Sequence, residues 1–137
     1  MKVVTILVPE GCVLATVSGP RQMFTAVNQF LVNQGREPLF HIKLVGLHKE
    51  VKLMDGLVSI FPDWQLEEAS YADVIVVPAL SGDLNVSLEQ NQAFVPWILA
   101  QHARGAEVAS LCIGAFLVVI YIVVAGSFTM SQLPSIF

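Results

Sequence analysis

Residues 2–9, Lys-Val-Val-Thr-Ile-Leu-Val-Pro, form a nearly unbroken apolar run, and no other feature restricts the fold of this chain so sharply. A strand with one wet face alternates apolar and polar residues, whereas an unbroken run belongs to a strand covered on both faces, as in a parallel sheet. Parallel strands cannot be joined by tight hairpins and need crossovers, usually helices. The chain supplies them. Further strands are predicted at 41–47, 74–78 and 107–111, with segments of helical character between them. Right-handed crossovers of this kind place helices on both faces, so the predicted class is α/β with a mostly parallel sheet.

Ser18-Gly19-Pro20 is predicted to open the first helix, with Ser18 as its cap and Pro20 in its first turn. Met23, Phe24, Val27, Phe30 and Leu31 recur at helical spacing as one apolar face, and Gly35 stops the helix. Asp55-Gly56, between the strand candidates 51–53 and 57–61, marks a hairpin turn. Pro62-Asp63 ends that unit, and residues 64–69 read as a short helical turn. Ser87 with Gln90 fits a capping box. Pro96 takes a break or a first-turn position before a helix over 97–104 that Gly105 ends. Trp64 and Trp97 read as packing residues.

A chain of 137 residues is expected to form one domain with a real core. The net charge is −4 and the Lys and Arg residues are scattered, which argues against a nucleic-acid surface, since that needs a concentrated basic patch. The apolar part of the N-terminal run is too short for a signal peptide. Two cysteines, Cys12 and Cys112, without such a signal imply reduced thiols and a cytoplasmic protein. No spacing among Cys12, Cys112, His41, His48 and His102 resembles a zinc site, and no metal or cofactor is expected.

In an open parallel sheet the site lies at the carboxyl ends of the strands. That edge gathers residues 10–16, His48, 79–82 and 112–114. The run Val108-Ala109-Ser110-Leu111-Cys112-Ile113-Gly114-Ala115-Phe116 places Cys112 at a sharp strand-to-helix turn, where helix N-terminal amides favour thiolate over thiol. Such a thiol is either a nucleophile or oxidisable sensor, or a small buried hydrophobe packing under the next helix. Cys12, at another strand end, is expected to be an independent buried thiol rather than a redox partner of Cys112.

With these residues placed, the chain resembles the ThiJ/PfpI branch of the class I glutamine-amidotransferase-like fold. More narrowly, it is similar to the N-terminal domain of AraC-family transcription regulators of the GlxA type. The resemblance rests on Val8-Pro9-Glu10-Gly11-Cys12 with Ser18-Gly19-Pro20, on Phe61-Pro62-Asp63, on Ala72-Asp73-Val74-Ile75-Val76-Val77-Pro78, and on the 108–116 run as a nucleophile elbow. It covers roughly residues 1–117 and implies a flavodoxin-like three-layer sandwich whose C-terminal elements are missing or replaced. It also implies a small-molecule ligand, a homodimer, and DNA binding only in a full-length parent that carries a helix-turn-helix half.

The resemblance carries expectations for single residues. In the enzymatic members a carboxylate from the first strand-helix loop tunes the cysteine; the matching position, five after Gly11, is Thr16. A hydroxyl cannot shuttle a proton near neutral pH as a raised-pKa carboxyl can, and Glu10 is the nearest alternative acid. Ala79 and Leu80 stand where such enzymes often have glycines supplying oxyanion amides. With Ile113 their N–H groups are candidates for binding a carboxylate or carbonyl oxygen. The histidine of related amidotransferases lies downstream of the elbow, and no histidine follows His102. Of the three present, only His48 follows a strand's carboxyl end. Binding is therefore expected rather than turnover, with a Cys112-dependent hydrolase, hydratase or glyoxalase as the alternative.

The resemblance ends abruptly. Glu107 is the last charged residue, and the 30 positions after it hold no Asp, Glu, Lys, Arg or His. Residues 117–124, Leu-Val-Val-Ile-Tyr-Ile-Val-Val, lack a polar stripe and are rich in β-branched side chains, which suit strands better than helices. Residues 118–137 read as an uncharged apolar tail foreign to the family, and the whole as a fragment with a tail from a shifted reading frame. A membrane span over 108–128 is long enough but is not the expectation.

Overall fold

The N-terminal apolar run is a strand, β1 (Lys2–Val8), in the middle of the sheet. The computed structural model describes residues 1–111; the expectations for Cys112, Ile113 and the tail fall outside the described residues. β1 pairs in parallel with β2 (Phe40–Gly46) over its whole length, from Lys2 opposite Phe40 to Val8 opposite Gly46. After β2 the chain forms the predicted hairpin, β3 (Val51–Leu53) against β4 (Val58–Ile60), then a short strand β5 (Trp64–Gln65) and a 3-10 turn over Leu66–Glu68. The sheet continues with β6 (Val74–Val77) beside β1 and β7 (Glu107–Ser110) beside β6. The order is β5-β2-β1-β6-β7, and every pairing in it is parallel. This is the flavodoxin-like α/β arrangement that the sequence predicts.

Side chains alternate across the sheet, so β1 feeds two cores. Val4, Ile6 and Val8 enter one with Val17, Val51, Leu53 and Val76; Leu7 enters the other with Val45, Ile75, Val77, Phe94 and Ile98. The first lies under α1 (Leu14–Asn33) and the hairpin, the second under α3 (Phe94–Ala103). No helix among the described residues is long and apolar enough to cross a membrane.

The helix starts differ from expectation. α1 begins at Leu14, not at Ser18, and Pro20 lies inside it. Its N-cap, Val13, has no capping side chain; instead the Val13 carbonyl accepts both the Thr16 N–H at 3.0 Å and the Thr16 hydroxyl at 2.7 Å. At the far end the expectation holds. Gly35 takes φ +75, where a side chain is strained, and its N–H donates to the Val32 carbonyl.

The helix α2 (Leu84–Gln90) is capped not by Ser87 but by Asp83, whose carboxylate accepts from the Asn85 and Val86 amides at 2.9 and 3.2 Å. Ser87 is buried one turn in. α3 takes Pro96 into its first turn, and Trp97 donates its indole N–H to the Ala69 carbonyl at 2.6 Å. Residues 64–69, expected as a helical turn, begin instead as β5, because Gln65 pairs with Gly46 at the sheet edge.

Candidate functional site

The carboxyl ends of β1 and β6 are zipped together. The Val13 N–H donates to the Ala79 carbonyl and the Ser81 N–H to the Gly11 carbonyl, each at 2.8 Å, on either side of the antiparallel pair Cys12 and Leu80. The Ser81 hydroxyl adds a second bond to the Gly11 carbonyl at 2.9 Å. Gly11 takes φ +76 and lies so close to Ser87 that an added Cβ would sit 3.3 Å from its Oγ.

Asn91, with no exposed surface, holds the loop from below. The Glu10 N–H donates to Asn91 Oδ1 at 2.8 Å, and Asn91 Nδ2 donates to the carbonyls of Glu10 and Ser87 at 2.9 and 2.7 Å. A buried amide that leaves three strong partners in place makes this loop a fixed feature rather than a hinge. Asn91 was invisible as a site residue in the sequence, because its partner Glu10 is 81 positions away. Ser81 belongs to the 79–82 loop placed at this edge, and Ser87, read as a helix cap, instead donates its hydroxyl to the Ser81 carbonyl at 3.1 Å.

Thr16, the residue in the tuning-acid position, has both hydroxyl functions engaged. Its Oγ1 donates to the Val13 carbonyl and accepts the Ala79 N–H at 3.0 Å. This corrects one expectation for Ala79. Its amide points at Thr16, so it is not a donor turned toward a ligand. Ala79 and Leu80 are both buried, and Leu80 faces Cys12 across the clip. Ile113 and Cys112, which would complete the site, lie outside the described residues.

Glu10 and His48 do meet. Glu10 Oε1 lies 3.8 Å from His48 Nε2, an ion pair whenever the imidazole is protonated. The two come from different strand ends, β1 and β2, and both remain solvent-accessible. His41 is at the amino end of β2, and His102 is in the last turn of α3 with Nδ1 3.3 Å from the Ala106 carbonyl; neither belongs to this edge. Cys12 is a free, buried thiol. Burial pushes it up to about 12, and the negative charge of Glu10 adds to that rise against a lowering backbone hydrogen bond. Near neutral pH it is a thiol, not a nucleophile. Among the described residues, no group of three or more His, Cys, Asp or Glu can hold a metal ion.

No protein-family model matches the chain, and no curated protein matches it significantly. Solved structures do. A candidate transcriptional regulator from Vibrio parahaemolyticus superposes with a TM-score of 0.72 at 20% identity, covering 88% of this chain and 61% of that one. A ThiJ/PfpI family protein from Pseudomonas syringae gives 0.69 at 17% identity, over 88% of this chain and 46% of that one. A DJ-1 superfamily protein from Salmonella typhimurium gives 0.61 at 17% identity, over 92% and 62%. This chain thus spans less than two thirds of each of these proteins. At such identities the likeness establishes the fold.

Proposed function

This chain has the fold of the ThiJ/PfpI and DJ-1 superfamily, and we propose that it is the ligand-sensing, amidotransferase-like domain of an AraC-type transcription regulator. It binds a small molecule at the carboxyl edge of the sheet and does not turn it over. The observation that carries this reading is Thr16. The position that would tune a reactive cysteine holds a hydroxyl whose hydrogen bonds go to the Val13 carbonyl and the Ala79 amide. Such a group neither accepts a proton near neutral pH nor leaves the neighbouring amide for an oxyanion. The likeness to a candidate transcriptional regulator supports the regulatory role.

In this reading residues 1–117 form the domain and 118–137 an extension. The domain works as a cytoplasmic homodimer, and DNA is contacted only through a further domain of a longer parent. Alkylation tests it. Iodoacetamide labelling of Cys112 in the full chain, followed against pH by peptide mass spectrometry, is expected to titrate at or above about 8.5, the free-cysteine value. Cys12, held protonated to about pH 12, does not compete. A Cys112 midpoint below about 7 overturns the reading, because such a thiolate is an activated nucleophile.

A second reading draws on the Glu10–His48 contact. These are an acid and a base 3.8 Å apart on the same edge. With Cys112 they would form a nucleophile, base and orienter, the triad of a hydrolase, hydratase or glyoxalase. Single substitutions His48→Ala and Glu10→Gln separate the two readings. If either raises the Cys112 midpoint by about one unit or more, the enzyme reading gains; if neither does, the binding reading stands.

A further inference from the structure

Among the described residues, α1 is packed along one side only. Val17 is buried, and Phe24, Asn28 and Leu31 are half-buried. Met23, Val27 and Phe30, at i, i+4 and i+7, form a second stripe roughly a quarter-turn round the helix. They keep 70%, 42% and 61% of their surface exposed. Met23, Phe24, Ala26 and Val27, with Phe40 of β2, line an open apolar cleft of about 440 Å³ beside this stripe. The Phe24 ring stands edge-on to that of Phe40, 4.8 Å between centroids, which gives the cleft an aromatic floor. Phe30 is not part of the lining; it projects about 10 Å further along the axis than Met23. Singly exposed apolar residues are ordinary, but a contiguous stripe beside a cleft marks an interaction site.

Charge and shape decide what covers it. At about 100° per residue, Gly19, Met23, Ala26, Val27, Phe30 and Asn33 fall on the stripe's side, and none is charged. The single charged residue of α1, Arg21, lies about 160° round from Met23. Copies of a chain with net charge −4 repel one another, and an uncharged face is where that repulsion is weakest. A two-fold interface sets one patch against itself, so residue i of one copy meets j of the other, and j meets i. Such an interface needs a projection and a recess on the same surface. This face has both, whereas a partner that only filled the cleft would leave Phe30 in water. Gly19 fits the same arrangement: an added Cβ meets nothing within 4 Å inside one copy, so the fold itself does not call for this helix-weakening residue.

We propose that α1 packs antiparallel on α1 of a second copy, about a two-fold between Ala26 and Val27. Phe30 of each copy then enters beside Met23 at the other's cleft, and the small Ala26 at the centre lets the helices approach closely. This rests on the homodimer of the functional reading and names its interface.

Sedimentation equilibrium of the full chain tests it. The parent is expected to dimerise. Phe30→Glu and Met23→Lys, at positions that the fold leaves exposed, are each expected to weaken the dimer at least about tenfold. The double variant Met23→Lys with Phe30→Glu sets opposite charges against each other across the two-fold, while within one helix they stay about 10 Å apart. It is expected to dimerise at least as tightly as either single variant, where additive losses would leave it about a hundredfold weaker than the parent. Val86→Glu, on a similarly exposed site of α2, is expected to leave the dimer unchanged. A parent that is still monomeric at roughly 0.1 mM overturns this interface and the homodimer together. A parent dimer that neither single variant weakens, or that Val86→Glu weakens equally, overturns the interface and leaves the homodimer standing. A double variant weaker than both singles overturns it as well, because Met23 and Phe30 then do not meet across the two-fold.

Discussion

The two faces of the sheet are finished to different degrees. Under α3 the core is closed: Phe94 and Ile98 are buried, Gln101 is satisfied by the Ala72 amide and the Ser70 carbonyl, and Trp97 is pinned to Ala69. Under α1 a helix twice as long buries a single residue, and the hairpin supplies Val51 and Leu53 to cover the rest. What differs is not apolar content but fixation. α3 is held by Trp97 and Gln101 to the backbone of residues 69–72, whereas the long α1 is held by Thr16 in its first turn and by Asn28, which accepts from the Leu39 and Phe40 amides at 3.0 and 2.9 Å. The α1 face is the one that leaves Met23, Val27 and Phe30 exposed.

The largest expected effect sharpens that contrast. Phe94→Ala, at a site with no exposed surface, should cost about 3–5 kcal/mol in chemical denaturation. Phe30→Ala on the outward stripe should cost less than half as much; equal losses would erase the distinction between the faces. Next comes the clip at the carboxyl edge. Asn91→Ala leaves two backbone groups of Glu10 without their partner and is expected to destabilise by about 1–3 kcal/mol. A loss within about 0.5 kcal/mol, typical of surface positions, would show that the loop is not held from below.

The buried thiol gives a pH effect of known sign. Cys12 is raised when folded, so its protonated form stabilises the fold at neutral pH, and that contribution is lost as pH climbs from about 9 toward about 12. The melting temperature should fall over this range more steeply in the parent than in Cys12→Ala. Parallel curves would mean that the thiol is more accessible than its 4% exposure indicates.

Much of this frame was legible because it is written locally. The run 2–9 carries its strand in its composition, Asp55-Gly56 marks the hairpin, and Gly35 and Gly105 end their helices at positive φ. The start of α1 was not, since Leu14-Ala15-Thr16-Val17 holds no capping signal and the helix is fixed there by the Thr16 bond to Ala79, 63 positions away. Ser87 and Asp83 both suit a cap, and the earlier residue takes the role because the helix begins sooner. The apolar pattern of α1 was read as one face; the fold divides it, packing Phe24 and Leu31 and turning Met23, Val27 and Phe30 out. Thr16 stood out in the sequence by what it lacks, a carboxyl, whereas what it holds appears only in three dimensions.

That hydroxyl is the most direct place to test the binding reading. Amide hydrogen exchange at Ala79, followed by NMR in the parent and in Thr16→Val, reads the bond itself. The parent amide should be protected, and the substitution should speed its exchange roughly fivefold or more, the factor that a net hydrogen bond of about 1 kcal/mol commands. An Ala79 amide that exchanges at the unprotected rate in the parent, or one that the substitution leaves untouched, would mean that the amide is free to meet a ligand oxygen. The site would then have the donor that turnover needs.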